Sequence, residues 1–387
     1  HALADDSQTV RIAAGATVVA DFRLRLSPVK QEITVTASGG REVSTFESFQ
    51  TVTTLETFEL ARKTHTSLGE VLENQPGVAK RSFGPGSARP VIRGFDGDRV
   101  LIMQDGVPTG ALSSQSGDHG ESIDPTSLER LEVLKGPATL LYGSNALGGV
   151  VNAVSGHHQL HEHPHQGLRG HLTAIGGSAN DHAGGSAGFE LGVKNWLLWG
   201  GGGAQRTGDY STPLGTIENS ATRIRNGYGG FGWYGQKRYF DLGHALEEGR
   251  YGVPFAAEIE GAADDILLDS RRHNLRMNAG FRNLGTWVDG FRLSLNYSDW
   301  RHRELEGDTV GTTFRNRQFS WRGVFDQRRT GRYSGSFGFS GAFRDYRAAG
   351  EETLAPPVRQ NNFAAFALEE IELERVRLQF GARVENN

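Results

Sequence analysis

Two short stretches of the sequence carry side chains that could bind one metal ion together. In SSQSGDHGES (113–122), Asp118 and His119 are adjacent, so a turn would let a carboxylate and an imidazole approach one ion at about 2 Å. In SDWRHRELEGD (298–308), His302, Glu304 and Glu306 alternate, and alternate residues of a strand share one face. Together they could supply the tetrahedral ligand set that zinc usually takes. A lone Asp–His pair is more often a solvated pair in a loop. Whether these residues form a metal site therefore depends on whether the fold brings the two stretches together.

A third stretch, HHQLHEHPHQ (157–166), is rich in histidine. Neutral imidazole is a ligand for zinc, copper and nickel, and such tracts often bind metal by composition alone. A polar linker explains the same composition equally well. The candidate ligands of this stretch are His157, His158, His161, His163 and His165.

Composition excludes several classes of protein. The chain has 387 residues, 53 of them Gly and none Cys, so neither a disulfide framework nor a thiolate site is available. A formal net charge of −4 without a basic run predicts no nucleic-acid partner. The glycine clusters lie in strand-like runs rather than in strand-to-helix turns, so we predict neither an enzyme nor an organic cofactor. The chain begins HALADDSQTV without Met, which is typical of a processed or trimmed form.

The first 155 residues have a mixed pattern. TVRIAAGATVVADFRLRL, within residues 1–28, predicts short strands around a Gly turn, as at the end of a small β-sandwich. TSLGEVLENQPGV (66–78) predicts a short helix that Thr66 or Ser67 caps and Pro76-Gly77 end. Strand-like runs with Gly and Pro breaks follow, which indicates a small α+β domain.

After residue 167 the sequence alternates between apolar and polar residues. In RLSLNYSDW (292–300), Leu293, Leu295 and Tyr297 face one way and the polar residues face the other. We count about eleven such segments, each near the length of a membrane-spanning tilted strand. A soluble β-sandwich also alternates. The strand length, the charged polar faces and the rhythm of short turns and long polar loops (207–220, 246–268, 301–313 and 347–361) favour a membrane barrel.

Residues 66–155 resemble the plug domain of TonB-dependent outer-membrane receptors. The matching stretches are LGEVLENQPGVAKRSFG, ARPVIRGFDGDRVLIMQDGVP and DPTSLERLEVLKGPATLLYGSNALGGVVNAVS. The resemblance implies an α+β plug domain inside a transmembrane antiparallel β-barrel, in contact with outer-membrane lipid in a Gram-negative bacterium. It also implies active uptake driven by TonB, with ExbB and ExbD at the inner membrane. QEITVTAS (31–38) resembles a TonB box, whose contact residues would be Glu32, Ile33, Thr34, Val35 and Thr36.

Five segments follow from these patterns. They are the end of a β-sandwich-like domain (1–30), a TonB-box-like segment and linker (31–43), the plug (44–155), a His-rich plug-to-barrel linker (156–167) and a barrel (168–387). Transporter barrels of this type have about 22 strands, so about half of the strands are present. We therefore expect the chain to hold the N-terminal part of a longer barrel.

The substrate prediction rests on a narrower resemblance. GDHGESIDP, EEGRYGVP (247–254) and LNYSDWRHRELEGDTVGTTFRN (295–316) resemble the zinc-uptake branch of these receptors. The resemblance implies that Asp118, His119 and a barrel glutamate bind zinc as the transported ligand. That glutamate is Glu304, with Glu306 as its rival, and a fourth ligand, a histidine, would lie further along the barrel. The loop at 255–270 is acidic and lacks the histidines usual in that branch.

Two other functions compete with zinc import. A receptor for a metal chelate (siderophore, haem or cobalamin) would need clustered aromatic and basic residues above the plug. The loops of this chain offer few of them, namely Tyr210, Tyr251 and Phe255. An adhesin or structural barrel without transport would not need a TonB box. In the plug architecture the histidine run would face the periplasm, where it could receive a metal on release.

Overall fold

The computed structural model describes residues 33–34, 43–44, 48–63, 65–155, 166–256, 264–350, 353 and 356–387. The expected sandwich-like segment (1–30), the five candidate histidines of 157–165, and Glu32, Val35 and Thr36 lie outside the described residues. Within the described ranges, no helix is both long and apolar enough to cross a membrane.

The first half of the chain forms short strands, helices and 3₁₀ turns. Its strands are β1 Ile33–Thr34, β2 Val43–Ser44, β3 Thr51–Glu56, β4 Val78–Arg81, β5 Arg89–Ile92, β6 Val100–Gln104, β7 Val107–Pro108, β8 Arg130–Lys135 and β9 Gly149–Val154. Its helices are α1 Thr57–Lys63, α2 Leu68–Leu72 and α3 Thr139–Tyr142, with 3₁₀ turns at Pro85–Ser87, Gly97–Arg99 and Pro125–Ser127.

A five-stranded sheet is the centre of this plug domain. Its order is β3-β8-β9-β6-β7, in which only β6 and β9 are parallel, and β4 pairs separately with β5. Apolar side chains of the sheet and of α1 and α2 form its buried core. The expected helix at 66–78 is shorter than predicted. It ends at Leu72 because Asn74 and Gly77 take positive φ angles of 72° and 75° and turn the chain.

The second half of the chain is almost entirely strand. Its elements are β10 Gly167–Gly177, β11 His182–Val193, β12 Trp196–Thr207, β13 Tyr210–Thr212, β14 Gly215–Ile217, β15 Thr222–Tyr234, β16 Arg238–Gly252, β17 Ile266–Arg282, β18 Val288–Glu306, β19 Thr309–Gln327, β20 Tyr333–Gly350, β21 Val358–Glu372 and β22 Arg377–Asn386. Strands β13 and β14 form a hairpin of their own.

The other strands form one antiparallel sheet of eleven strands, each paired with its neighbours in sequence, with β10 and β22 at the edges. Its inward face is buried and mainly polar, whereas its outward face is exposed and mainly apolar over the middle of the strands. In β18, Asn296 and Ser298 are each 1% exposed, while Tyr297 between them is 41% exposed. A soluble sandwich buries its apolar face, so this inverted pattern is that of a membrane barrel wall. The predicted fold class, a plug domain with a partial barrel, is confirmed.

One expected loop is absent. Residues 301–313 were predicted to form a long polar loop, but β18 continues to Glu306 and β19 starts at Thr309. A two-residue turn, Gly307-Asp308, joins the two strands, and Gly307 takes a φ of 56° there. The in–out alternation simply continues through His302 and Arg303. His302 and Glu304 are therefore held by a strand and not by a loop.

Candidate metal site

The plug and the barrel wall meet at a cluster of three possible metal ligands. His119 lies on the plug segment between β7 and β8, and His302 and Glu304 point inward near the end of β18. One ligand atom from each residue lies within 4.8 Å of the other two. Two ligands of a tetrahedral ion at about 2 Å lie about 3.3 Å apart, so small side-chain shifts would close this set around an ion.

The imidazole of His119 is held at both nitrogens. Nδ1 lies 3.2 Å from the carbonyl oxygen of Leu112, to which it can only donate. Nε2 lies 2.8 Å from Oε1 of Glu304. Burial opposes the charged ring, but the hydrogen bond to Glu304 and the charges of Asp118 and Glu304 outweigh it and raise the pKa of His119. A metal ion bound at Nε2 would replace this hydrogen bond, because a ligand imidazole must be neutral with a free lone pair.

His302 has no hydrogen-bond partner at either ring nitrogen among the residues that the structure describes, although it is 0% exposed. Its ring centroid lies 4.3 Å from that of His119. It stacks on Trp300 at 5.1 Å and meets the edge of Phe314 at 5.8 Å. Burying a polar group without a partner is costly, and a bound ion would supply one.

Two imidazoles and one carboxylate form a ligand set with an open position. Such sets bind zinc, and imidazole also suits copper, nickel and iron. The apolar rings of Trp300 and Phe314 exclude water from one side of the cluster, which strengthens the interaction between an ion and its ligands.

Two residues predicted from sequence lie outside this cluster. The carboxylate of Asp118 accepts a hydrogen bond from the hydroxyl of Ser116, and Asp118 is not among the three grouped residues. Glu306 lies two residues beyond Glu304, at the last position of β18, and is also outside the group. The structure thus brings together His119, His302 and Glu304, and of the two candidate glutamates it places Glu304 at the site.

Tyr251 on β16 holds the backbone on both sides of His119. Its hydroxyl donates to the carbonyl of Asp118 at 2.9 Å and accepts from the N–H of Gly120 at 2.6 Å. Its ring fills the space that a side chain on Gly86 would occupy. The sequence indicates Tyr251 only as a possible chelate contact, because nothing local to EEGRYGVP signals a partner more than 130 residues away.

A buried polar network supports the plug segment that carries His119. Glu121 accepts hydrogen bonds from Thr109 at 3.2 Å and Ser113 at 2.7 Å, and burial raises the pKa of Glu121. Arg272 of β17 donates to Glu247, to Gln104 and, at 3.3 Å, to the carbonyl of Thr109. The network ties the His119 segment to two barrel strands.

A second feature is a cavity of ≈ 600 Å³ between the plug and the loops after β12 and β16. Its lining includes two exposed aromatic rings, Phe83 and Phe255, and two charged residues of opposite sign, Lys80 and Glu70. His65 also lines it, and burial together with Lys63 and Lys80 lowers the pKa of His65, so its ring is neutral at pH 7. Of the three aromatic residues predicted for a chelate, Tyr210 and Phe255 line this cavity.

Comparison with known proteins identifies the plug. Residues 44–150 match the model of the TonB-dependent Receptor Plug Domain. This segment is therefore a TonB-dependent receptor plug domain, as its sequence predicted. A plug domain of this family, combined with a barrel wall whose apolar face is turned outward, places the protein in the outer membrane of a Gram-negative bacterium.

Three curated relatives have names that refer to different cargoes. The ferric enterobactin receptor PirA of Pseudomonas aeruginosa is 29% identical over 284 residues, which cover 63% of this chain and 37% of PirA. A hemin receptor of Yersinia enterocolitica is 34% identical over 125 residues (32% and 18%). The vitamin B12 transporter BtuB of Photobacterium profundum is 36% identical over 132 residues (34% and 21%). The chain thus matches well under half of each relative's length, and all three are named as receptors or transporters rather than enzymes.

Solved structures show the same fold. The copper transporter OprC superposes with a TM-score of 0.73 at 19% identity, over 86% of this chain and 55% of OprC. The alcaligin receptor FauA from Bordetella pertussis gives 0.67 at 18% identity, over 92% and 58%. At this identity the likeness concerns the fold alone.

Proposed function

We propose that the chain is the plug and part of the barrel of a TonB-dependent receptor that imports a transition-metal ion. The ion would bind to His119, His302 and Glu304 between plug and barrel. The observation that carries this proposal is the buried His302. Its two ring nitrogens have no partner among the described residues, and one of them lies within 4.8 Å of a ligand atom of His119 and of Glu304. The identity of the metal follows from donor chemistry only in part, because this set suits zinc and also copper or nickel.

The ligands also explain how energy could release the ion. One ligand, His119, belongs to the plug, whereas His302 and Glu304 belong to the barrel wall. Any displacement of the plug separates the ligands and lowers affinity. TonB would bind residues 32–36 by strand addition, in which main-chain hydrogen bonds supply the affinity, and would transmit force from ExbB and ExbD.

The first experiment is energised uptake of radioactive zinc and of radioactive copper by cells that express the full-length protein. The test variant is His119→Ala with His302→Ala, and Asp118→Asn is the matched control because Asp118 lies outside the cluster. We expect uptake of one metal to collapse in the double variant alone, at unchanged outer-membrane abundance. Equal uptake by the double variant and the wild type would refute the site. The metal that the wild type takes up and the double variant does not is the transported ion.

A metal chelate is the second candidate cargo, and the names of the curated relatives favour it over free zinc. The cavity supplies two exposed aromatic rings, Phe83 and Phe255, on which the apolar part of a chelate such as haem or a siderophore could pack. Its lysine, Lys80, pairs with Glu73 at 2.9 Å. This function is tested by growth with haem or ferric enterobactin as the sole source of iron, or with cobalamin as the sole source of vitamin B12. Growth that fails in Phe83→Ala with Phe255→Ala, yet persists without His119 and His302, would favour the chelate over the ion.

A further inference from the structure

An unbroken row of arginines crosses the outward face of four adjacent strands. In the register of the sheet, Arg271 of β17 lies opposite Arg301 of β18, Arg301 opposite Arg315 of β19, and Arg315 opposite Arg347 of β20. Like charges directly opposite one another destabilise a sheet. The row therefore carries a cost that the pairing of the strands does not explain.

These four residues, the arginine row, point away from the plug. Their neighbours Arg272, His302, Asn316 and Tyr346 are buried inside the barrel, and successive residues of a strand face opposite ways. The side chains of Arg271, Arg315 and Arg347 are 44%, 46% and 58% exposed. The row is thus available to a partner outside the barrel.

Acidic neighbours neutralise the row only in part. Arg271 pairs with Glu248 at 3.4 Å, Arg315 with Asp299 at 2.7 Å and Arg347 with Asp345 at 3.0 Å. Arg301 has neither a hydrogen bond nor an ion pair with any described residue. Two further arginines stand beside the row, Arg317 on Asp299 and Arg303 on Asp269, so six arginines face four carboxylates. Exposed ion pairs are weak and can be exchanged for a stronger anion.

An apolar row runs parallel to the arginine row. It lies four residues away on each of the four strands, after the arginine on β17 and β19 and before it on β18 and β20, which is about 13 Å at the usual rise per residue. Its members are opposite one another in the same register and are exposed: Leu275 45%, Tyr297 41%, Phe319 38% and Phe343 52%. In an outer-membrane barrel such a row contacts lipid chains, so the arginine row lies at the level of the headgroups.

We propose that the arginine row binds the phosphorylated saccharide headgroup of a glycolipid in the outer leaflet, with its acyl chains on the apolar row. A guanidinium group can donate two parallel hydrogen bonds to the oxygens of one phosphate. A phosphate placed between Arg301 and the arginines beside it would also relieve the repulsion among them. Charge and amphipathic spacing both match a lipid of this kind. The site is separate from the metal cluster, which faces the inside of the barrel.

The test measures binding of bis-phosphorylated lipid A to the purified full-length protein in detergent, by native mass spectrometry. The test variant is Arg301→Gln with Arg315→Gln. Its matched control is Arg328→Gln with Arg329→Gln, two exposed arginines at the opposite end of the barrel wall. We expect the test variant to lose affinity at least about tenfold, because charge-assisted donors are removed, and the control to bind as the wild type does.

The second measurement is the binding of chemically dephosphorylated lipid A to the wild-type protein. It does not depend on the folding of a variant. The proposal requires the dephosphorylated lipid to bind as weakly as the phosphorylated lipid binds the test variant. Equal affinity for the two lipids, or equal binding by the test variant and the wild type, would overturn it. Unchanged metal affinity in the test variant separates this outcome from any failure of the metal site.

Discussion

The imidazole of His302 is a fully buried polar group at the plug–barrel contact, and neither of its ring nitrogens has a hydrogen-bond partner among the described residues. It is enclosed by Trp300, Phe314 and His119, and none of these rings offers it a hydrogen bond. A buried polar group without a partner costs about 1–3 kcal/mol, so an apolar residue would make a more stable barrel. The proposed role as a metal ligand would account for a histidine at this position.

Replacement of His302 by Ala tests that role in the purified protein. We expect the affinity for the transported metal to fall by more than the about 10–100-fold that loss of an outer-shell partner costs. Asp118→Asn is the control and should change affinity by less than tenfold, because its carboxylate lies outside the cluster. Isothermal titration with zinc and copper measures both. A larger loss in Asp118→Asn than in His302→Ala would return the site to the one first predicted from sequence.

Tyr251 should act by positioning His119 and not by contact with the ion. Tyr251→Phe removes one acceptor and one donor and leaves the buried N–H of Gly120 unpaired, at about 1–3 kcal/mol. We expect metal affinity to fall about tenfold while the ligand set stays intact. The X-ray absorption spectrum of bound metal should therefore keep the same ligands, in contrast to His302→Ala. Tyr210→Phe, in the β13–β14 hairpin, is the control; an altered spectrum in Tyr251→Phe would contradict a positioning role.

At the scale of elements, two plug segments pack with almost no space between their backbones. A Cβ on Gly120 would lie 2.1 Å from the carbonyl oxygen of Gly86, and one on Gly117 would lie 2.2 Å from the ring of Phe83. The segment that carries His119 thus rests on the turn at 84–88. Its distance from β18 depends on this contact.

We therefore expect Gly120→Ala to push the His119 segment out of place. The obstacle is backbone rather than a flexible side chain, and such overpacking costs about 1–3 kcal/mol. Metal affinity should fall and the plug should become more sensitive to proteolysis. Gly285→Ala, which meets nothing within 4 Å, should change neither. If Gly120→Ala binds metal as the wild type does, the packing of the two segments does not set the site.

The elements were easier to predict from sequence than the site. Strict alternation in β18 predicts that His302 and Glu304 share a face, because the period of a strand is fixed by its backbone. The same alternation runs through 301–313, but the polar composition of this stretch is also typical of a loop, so composition alone gives the wrong prediction there. The sequence does not predict that His119 belongs to the ligand cluster while Asp118 lies outside it. The backbone at these two residues is held by Tyr251, which is distant in sequence. The supporting pair Arg272 and Glu247 gave no local signal for the same reason.

At the scale of the whole molecule, buried charges join the plug to the barrel. Arg272 and Glu247 are both almost fully buried and pair with each other, and Gln104 of β6 bonds to both. Removal of one partner from a buried ion pair costs about 3–5 kcal/mol because the other charge stays uncompensated. Replacement of both by apolar residues avoids that cost.

Arg272→Met should accordingly loosen the plug more than Arg272→Met combined with Glu247→Leu. Hydrogen exchange of the β6 amides reports this locally, and the single variant should exchange fastest. Arg292→Met, which breaks an ion pair with Asp326, is the control on the barrel wall and should leave β6 unchanged. Faster exchange in the double variant than in the single one would show that the pair itself, and not the uncompensated charge, holds the plug.

The division of the metal ligands between plug and barrel predicts that binding and transport can be separated. Val35→Pro removes a backbone N–H from the TonB-box-like segment, where strand addition by TonB would need it, and lies far in sequence from all three ligands. We expect unchanged metal affinity in the purified protein and loss of energised uptake in cells. Thr36→Val, which keeps the backbone donor, should support normal uptake. Normal uptake by Val35→Pro would mean that TonB does not act through residues 32–36. Loss of binding together with uptake would mean that this segment shapes the metal site directly.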